Sequence, residues 1–313
     1  MRDGAIAKRR SGTLTARPQP HVDGVRHDHV EARGLRFHVA EAGPGDADPV
    51  VLLHGWPQHW YEWRHLIAPL SQRYRVVCPD LRGFGWSDAP PGGYDKETLT
   101  EDVVALLDAM GLERVRLIGH DWGGWVGFLL CLMHPERVER YVALNIPHPW
   151  QRREPRNVLS LWRLWYQAVI ASPVLGPRAV ARLAGLDDEG ARRFDLGVWD
   201  AAERRAFLGQ FEDPARARAS TQLYRSFLLV DLPRMTAGRY ARMRLRTPTL
   251  MLFGTRDKVI PAHQVEGFEA HADDMRLERI PGVGHFVADE VPELVAARAL
   301  DHFEAGSPAT SRT

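Results

Sequence analysis

The 313-residue chain has little cysteine, almost no lysine and no long apolar run, and each shortage narrows what it can be. Its two cysteines, Cys78 and Cys131, sit in apolar runs with no C-x-x-C neighbour. This argues against a disulfide framework or a zinc site and for two buried thiols in a reducing, cytoplasmic setting. No apolar stretch reaches the ~18 residues that a membrane-spanning helix requires. The basic N-terminal text MRDGAIAKRRSGTLTARPQP lacks the apolar segment of a secretory signal, so residues 1–20 are expected to form a disordered tail. Lysine occurs only at Lys8, Lys96 and Lys258; arginine carries the other positive charges, scattered among acids to a net charge of +1. That scatter offers no patch for nucleic acid.

What is present alternates between strand and helix. Short apolar, β-branched runs occur at PVVLLHG (49–55), YRVVCPD (74–80), RVRLIGHD (114–121), RYVALNIP (140–147) and PTLMLFG (248–254). Runs of that length, apolar on both faces, are strands covered from both sides. LRFHVAEAG (35–43) alternates more and suits an outer strand. Between strands, TLTEDVVALLDAMG places Thr98 and Glu101 at capping-box spacing, with Gly111 as the stop. Residues 148–247 contain no strand-like text; they are rich in Arg, Trp and Leu and broken by prolines. The expected fold is α/β: a mostly parallel sheet with helices on both faces, built from residues 21–147 and 248–306, with an all-helical cap over 148–247 inserted in it.

One stretch, GHDWGG, carries the chemistry. Gly119, Gly123 and Gly124 stand at −2, +2 and +3 from Asp121, where a strand turns directly into a helix. Small residues relieve the crowding of such a turn and leave the central side chain exposed at the strand end, the nucleophile-elbow pattern. Taken alone, the motif fits equally an aspartate capping the following helix. Two further features favour the nucleophile. In LLHGWPQHW, the turn His54-Gly55-Trp56-Pro57 aims the Trp56 N–H at the elbow, where with the N–H of Trp122 it forms an oxyanion hole. Downstream, Asp257 in GTRD and His285 in GVGHF each lie on a loop past a strand, in the chain order nucleophile, acid, histidine. His54 and His120 border the motifs and are expected to fix loop geometry.

Together HGWP, PDLRGFGWSD, GHDWGG, GTRD and GVGHF resemble the α/β-hydrolase-fold epoxide hydrolases over about residues 25–303. The resemblance implies the capped α/β-hydrolase core, no metal and no organic cofactor, with an epoxide and water as partners; the Trp- and Leu-rich cap text suits a small hydrophobic epoxide, and a homodimer is compatible with the sequence. It also implies two cap tyrosines that donate to the epoxide oxygen. Tyr166, followed by Gln167 and upstream of Pro173, resembles the first; Tyr224, followed by Arg225, resembles the second; Tyr240 in GRYARM is the fallback. An aspartate at the elbow suits attack at a saturated carbon: the resulting ester carries a carbonyl that a histidine-activated water can attack, whereas a serine would leave an inert ether.

Four rival readings use the same text. A haloalkane dehalogenase shares the aspartate but needs halide donors; Trp56 occupies the HG-x-P position often held by Asn, leaving Trp162 and Trp165 as candidate donors. A fluoroacetate-type enzyme needs arginine beside the nucleophile, where Trp122 and Trp125 stand. A serine hydrolase would rest on Ser87 in GWSDA, which lies several residues past its strand. A non-catalytic binding protein would have no use for the Asp–His–Asp set. His21, His27 and His29 are expected to be a solvated surface group rather than metal ligands.

Overall fold

The computed structural model describes residues 17–150, 165–193 and 195–305. Eight strands form one sheet: β1 (Arg26–Ala32), β2 (Leu35–Ala42), β3 (Pro49–Leu53), β4 (Arg75–Pro79), β5 (Val115–His120), β6 (Val138–Leu144), β7 (Thr249–Gly254) and β8 (Met275–Ile280). Their spatial order is β1-β2-β4-β3-β5-β6-β7-β8. β1 and β2 pair antiparallel, as do β2 and β4, and every later pairing is parallel.

The core helices are α1 (Arg64–Ser71), α2 (Lys96–Ala109) and α3 (Asp121–Met133). Between β6 and β7 lie α4 (Trp165–Ala171), α5 (Gly176–Leu183), α6 (Asp188–Arg193), α7 (Ala201–Leu208), α8 (Pro214–Ser226), a π-helical turn (Phe227–Asp231) and α9 (Leu232–Thr236). The last helices among the described residues are α10 (Val287–Glu290) and α11 (Pro292–Glu304). Among the described residues no helix is long and apolar enough to cross a membrane.

Alternation along each strand explains the continuous apolar runs. In β3, Val51 and Leu53 join one core with Leu99, Val103 and Leu106 of α2 and Phe128 and Leu129 of α3. Val50 and Leu52 join the opposite core with Leu66 and Leu70 of α1 and Val295 and Ala299 of α11. Both thiols are free and buried within these layers.

Three details depart from the expectations. β2 is not the outer strand, because β1 pairs beyond it. β1 reads RHDHVEA and is mostly solvent-exposed, so it carries no apolar pattern to betray it. Helix α2 begins before Thr98: Asp95 is the N-cap, its carboxylate accepting both the N–H and the hydroxyl of Thr98. An Asp cap that satisfies two donors outcompetes the Thr98–Glu101 box; Gly111 does end the helix, at φ +67°. Of the expected N-terminal tail, residues 1–16 lie outside the described residues. Arg17 is anchored, its guanidinium 4.1 Å over the Trp86 ring.

The helical insertion is bolted to the sheet beside the strand ends. Gln210 donates to the Pro57 carbonyl at 2.8 Å and accepts from the Gly85 N–H at 2.9 Å. Trp56 donates its indole N–H to Ser220 at 3.0 Å, and Arg64 pairs with Glu203 at 2.6 Å. These contacts press α7 and α8 onto the loops that follow β3 and β4.

Candidate active site

The elbow is as tight as its glycines suggest. Leaving β5, the chain passes extended His120 and enters α3 at Asp121 with φ +47°, a left-handed value that an L-residue adopts only under constraint. A Cβ on Gly123 would lie 2.1 Å from the Leu53 carbonyl oxygen, and one on Gly55 would lie 2.6 Å from the Asp121 Cβ. Both glycines are there for close approach. Asp121 does not cap α3, since the N-cap position is His120 and no side-chain cap bond forms. Its carboxylate instead turns toward the loop after β3, where Oδ1 accepts the Trp56 N–H at 2.9 Å. The Trp122 N–H, expected beside it, makes no bond to the carboxylate in this resting arrangement.

His285 stands on the other side of the carboxylate. Its Nε2 lies 3.8 Å from Asp121 Oδ2, and its Nδ1 lies 2.8 Å from Asp257 Oδ2. Burial pushes the Asp257 carboxyl up, but His285, the Ile260 N–H and Asn145 outweigh it and hold it below its ordinary value. An ionised Asp257 accepts the Nδ1 proton and leaves Nε2 as the basic atom facing Asp121. The loop after β7 delivers Asp257 with its Oδ1 already accepting from the Val259 and Ile260 N–H groups, at 2.7 and 2.9 Å.

Two positioning residues escaped the sequence reading. Asn145, at φ +38° just past β6, donates to Asp257 Oδ2 at 2.7 Å and to the Gly284 carbonyl at 2.9 Å. It thus locks the acid to the histidine loop. Its sequence signal is slight: an asparagine, which tolerates positive φ, directly after an apolar strand. Glu62, fully buried between Trp60 and Trp63, accepts the Gly55 N–H at 2.9 Å and pairs with His120 Nδ1 at 2.8 Å. The opposite nitrogen of His120 reaches the His285 carbonyl at 2.9 Å. One buried Glu62–His120 pair therefore spans the oxyanion turn, the elbow and the histidine loop. His54 plays a similar part, Nε2 accepting the Leu81 N–H at 2.9 Å and Nδ1 donating to the Gly55 carbonyl at 3.0 Å. Pro57, joined to Trp56 by a cis bond, closes the same turn.

The Glu62–His120 pair makes a pH prediction. Burial pulls the His120 pKa down, but the charge of Glu62 outweighs it and lifts the pKa from 6.5 to about 9. A folded-state pKa above the unfolded one means stability that is complete below pH 6.5 and is lost as pH rises through about 9. The contribution is on the order of 3 kcal/mol. Thermal melts between pH 6 and 10 are expected to show Tm falling across that window. His120→Gln is expected to melt lower at pH 6 and to lack most of the slope; an unchanged slope refutes the assignment.

Above the carboxylate sit the two cap tyrosines. Tyr224 on α8 packs edge-on against Trp56 at 5.2 Å and Trp122 at 5.6 Å between ring centres, and Tyr166 on α4 packs edge-on against Tyr224 at 6.3 Å. Burial raises Tyr224 well above an ordinary phenol, and the charges of Tyr166 and Asp121 add to the rise. Burial likewise lifts Tyr166 to about 12, with the Gln167 amide pulling the other way. Tyr240 is elsewhere: its hydroxyl donates to Glu97 at 3.1 Å. Trp165 is 62% exposed, which takes it out of any enclosed site, and Trp162 lies outside the described residues. Ser87 is a buried loop residue whose hydroxyl donates to the Asp80 carbonyl. His27 is not simply solvated, its Nδ1 lying 3.0 Å from His38 Nε2. No group of three or more metal-ligating side chains forms among the described residues.

The chain is similar to known proteins. The family described as the alpha/beta hydrolase fold matches residues 48–292. The AB hydrolase superfamily protein YfhM of Bacillus subtilis is 28% identical over 296 residues, covering 90% of this chain and 99% of its own. Human epoxide hydrolase 4 is 28% identical over 284 residues, covering 85% of this chain and 75% of its own. The solved structure of epoxide hydrolase CorEH, without ligand, superposes with a TM-score of 0.77 at 28% identity, covering 90% of this chain and 99% of that one.

Proposed function

The chain belongs to the α/β-hydrolase fold family, and from that premise we propose that it is an epoxide hydrolase, converting a small hydrophobic epoxide and water to a vicinal diol through an ester on Asp121. The observation that carries the reading is the pairing of two phenols, the buried Tyr224 and the partly buried Tyr166, beside a carboxylate at the elbow. A carboxylate alone serves any saturated carbon; the phenols serve a leaving oxygen that needs a proton.

In the first step Asp121 Oδ2, which faces away from the Trp56 N–H, attacks a ring carbon. The ring C–O bond breaks, and the oxygen takes a proton from a tyrosine, leaving a phenolate and a neutral ester. In the second, His285 Nε2 takes a proton from water and the hydroxide adds to the ester carbon. The negative charge collects on Oδ1, where the Trp56 N–H already donates at 2.9 Å and the Trp122 N–H completes the hole. Collapse breaks the ester C–O bond, and the departing alkoxide takes the proton from His285. The acid regenerated at Asp121 returns its proton to the phenolate, so epoxide plus water balances diol. Oxygen from water stays in the carboxylate after each turnover.

Dehalogenation is the weaker reading, because a halide leaves without a proton and has no use for two phenols. The two free, buried thiols Cys78 and Cys131 suit a reducing, cytoplasmic setting. A panel of aryl, alkyl and fatty-acid epoxides set against haloalkanes tests the function, with diol release expected from the former and no halide from the latter. Halide release without diol overturns it. Removing both phenols, as Tyr166→Phe with Tyr224→Phe, is expected to slow diol formation by about 10³-fold at unchanged Tm. Unchanged rates move the acid role elsewhere.

A further inference from the structure

Lys96 is a buried charge near the site that this chemistry leaves unused. It opens α2 and is 0% exposed. A cation at a helix N-terminus opposes the helix dipole, and burying it adds a desolvation cost, so its retention calls for a compensating contact. Its ammonium donates to the Leu223 carbonyl at 3.4 Å and to the Tyr94 carbonyl at 3.5 Å, and pairs with Asp231 Oδ2 at 3.5 Å. It also stands 4.2 Å from the centre of the Trp122 ring and 5.8 Å from that of Phe227. Asp231 belongs to the π-helical turn that follows α8, and its Oδ1 accepts the Lys96 N–H at 3.0 Å. Lys96 thus touches Trp122, the residue after the nucleophile, and the backbone of Leu223, the residue before Tyr224.

We propose that Lys96 is a positioning residue for ring opening: seated on the face of Trp122 and bonded to the backbone beside Tyr224, its ammonium holds the indole and the Tyr224 phenol in place against one another. The inference rests on the epoxide hydrolase reading. A cation on an aromatic face is held there by the electron-rich ring, more strongly when desolvated, so the buried ammonium pins the indole plane. The Trp122 ring in turn packs edge-on against Tyr224, 5.6 Å between ring centres, so fixing the indole fixes a wall of the phenol. Lys96 also feels the charge of Asp121, from which negative charge migrates to the epoxide oxygen. None of these contacts reaches His285 or Asp257, the pair that drives ester hydrolysis, so the larger effect falls on ring opening.

Rapid mixing of the enzyme with styrene oxide, followed by tryptophan fluorescence, separates the rate constant of ester formation from that of ester hydrolysis. Because Lys96→Met alone strands the Asp231 carboxylate, the Lys96→Met, Asp231→Asn double variant is measured with it. Ester formation is expected to slow by about 10- to 30-fold, with hydrolysis changed less than about threefold. In a Tyr224→Phe background the same change is expected to cost less than about twofold more, since the residue it acts through is gone. Unchanged ester formation in the folded double variant overturns the proposal, as do equal slowing of both steps or full additivity with Tyr224→Phe. Failure of the unmodified enzyme to form an ester on Asp121 with any epoxide of the panel overturns the reading of the site itself, a separate outcome.

Discussion

Asp121→Ala is expected to lower diol release from every accepted epoxide by at least about 10⁴-fold while the protein stays folded. The carboxylate supplies the first bond to the substrate, and no neighbouring side chain can replace it: His285 Nε2 points at the same place but is 3.8 Å behind Oδ2 and engaged through Nδ1 with Asp257. Folding should survive, because the side chain receives a single hydrogen bond, from the Trp56 N–H, and caps no helix. Product assay and circular dichroism together check both halves. Had Asp121 been a cap, the same change would cost about 1 kcal/mol of stability and leave turnover intact. Diol formation by Asp121→Ala at even a tenth of the normal rate removes the nucleophile assignment.

His285→Gln separates the two half-reactions and is expected to stall the second. Ester formation uses Asp121, Tyr166 and Tyr224, none of which needs the imidazole; ester hydrolysis needs a base for water. Steady turnover is expected to fall by about 10³-fold or more. The Asp121 peptide then carries one added epoxide mass, detectable after rapid quench and digestion. In the unmodified enzyme under single-turnover conditions in heavy-oxygen water, the label is expected in the Asp121 carboxylate and not in the diol. Label in the diol alone means direct attack of water on the epoxide and refutes the ester route.

The parts of this site that could be read from the sequence are those enforced by close packing along a few consecutive residues. Gly123 is legible because a Cβ there has nowhere to go but into the Leu53 carbonyl, and the same holds for Gly55 against Asp121. The central strands are legible because both faces are buried, so β3 and β5 carry unbroken apolar text. β1 had no such signature: it is held by backbone pairing to β2, to which side-chain polarity contributes nothing. Nothing in the text around Glu62 and Lys96 marks either as buried, since burial of a charge depends on partners supplied from elsewhere: His120 for the one, Asp231 for the other.

By itself, the sequence determined the sheet's central strands, the elbow and the order of nucleophile, acid and histidine, because local sterics and periodicity act between neighbours in the chain. Only the tertiary structure decided which oxygen of Asp121 faces the donor, which tyrosine stays in the site while Tyr240 leaves it for Glu97, and where Asn145, Glu62 and Lys96 act. Those choices are made between residues far apart in the chain, where distance and burial, rather than spacing, set the energy.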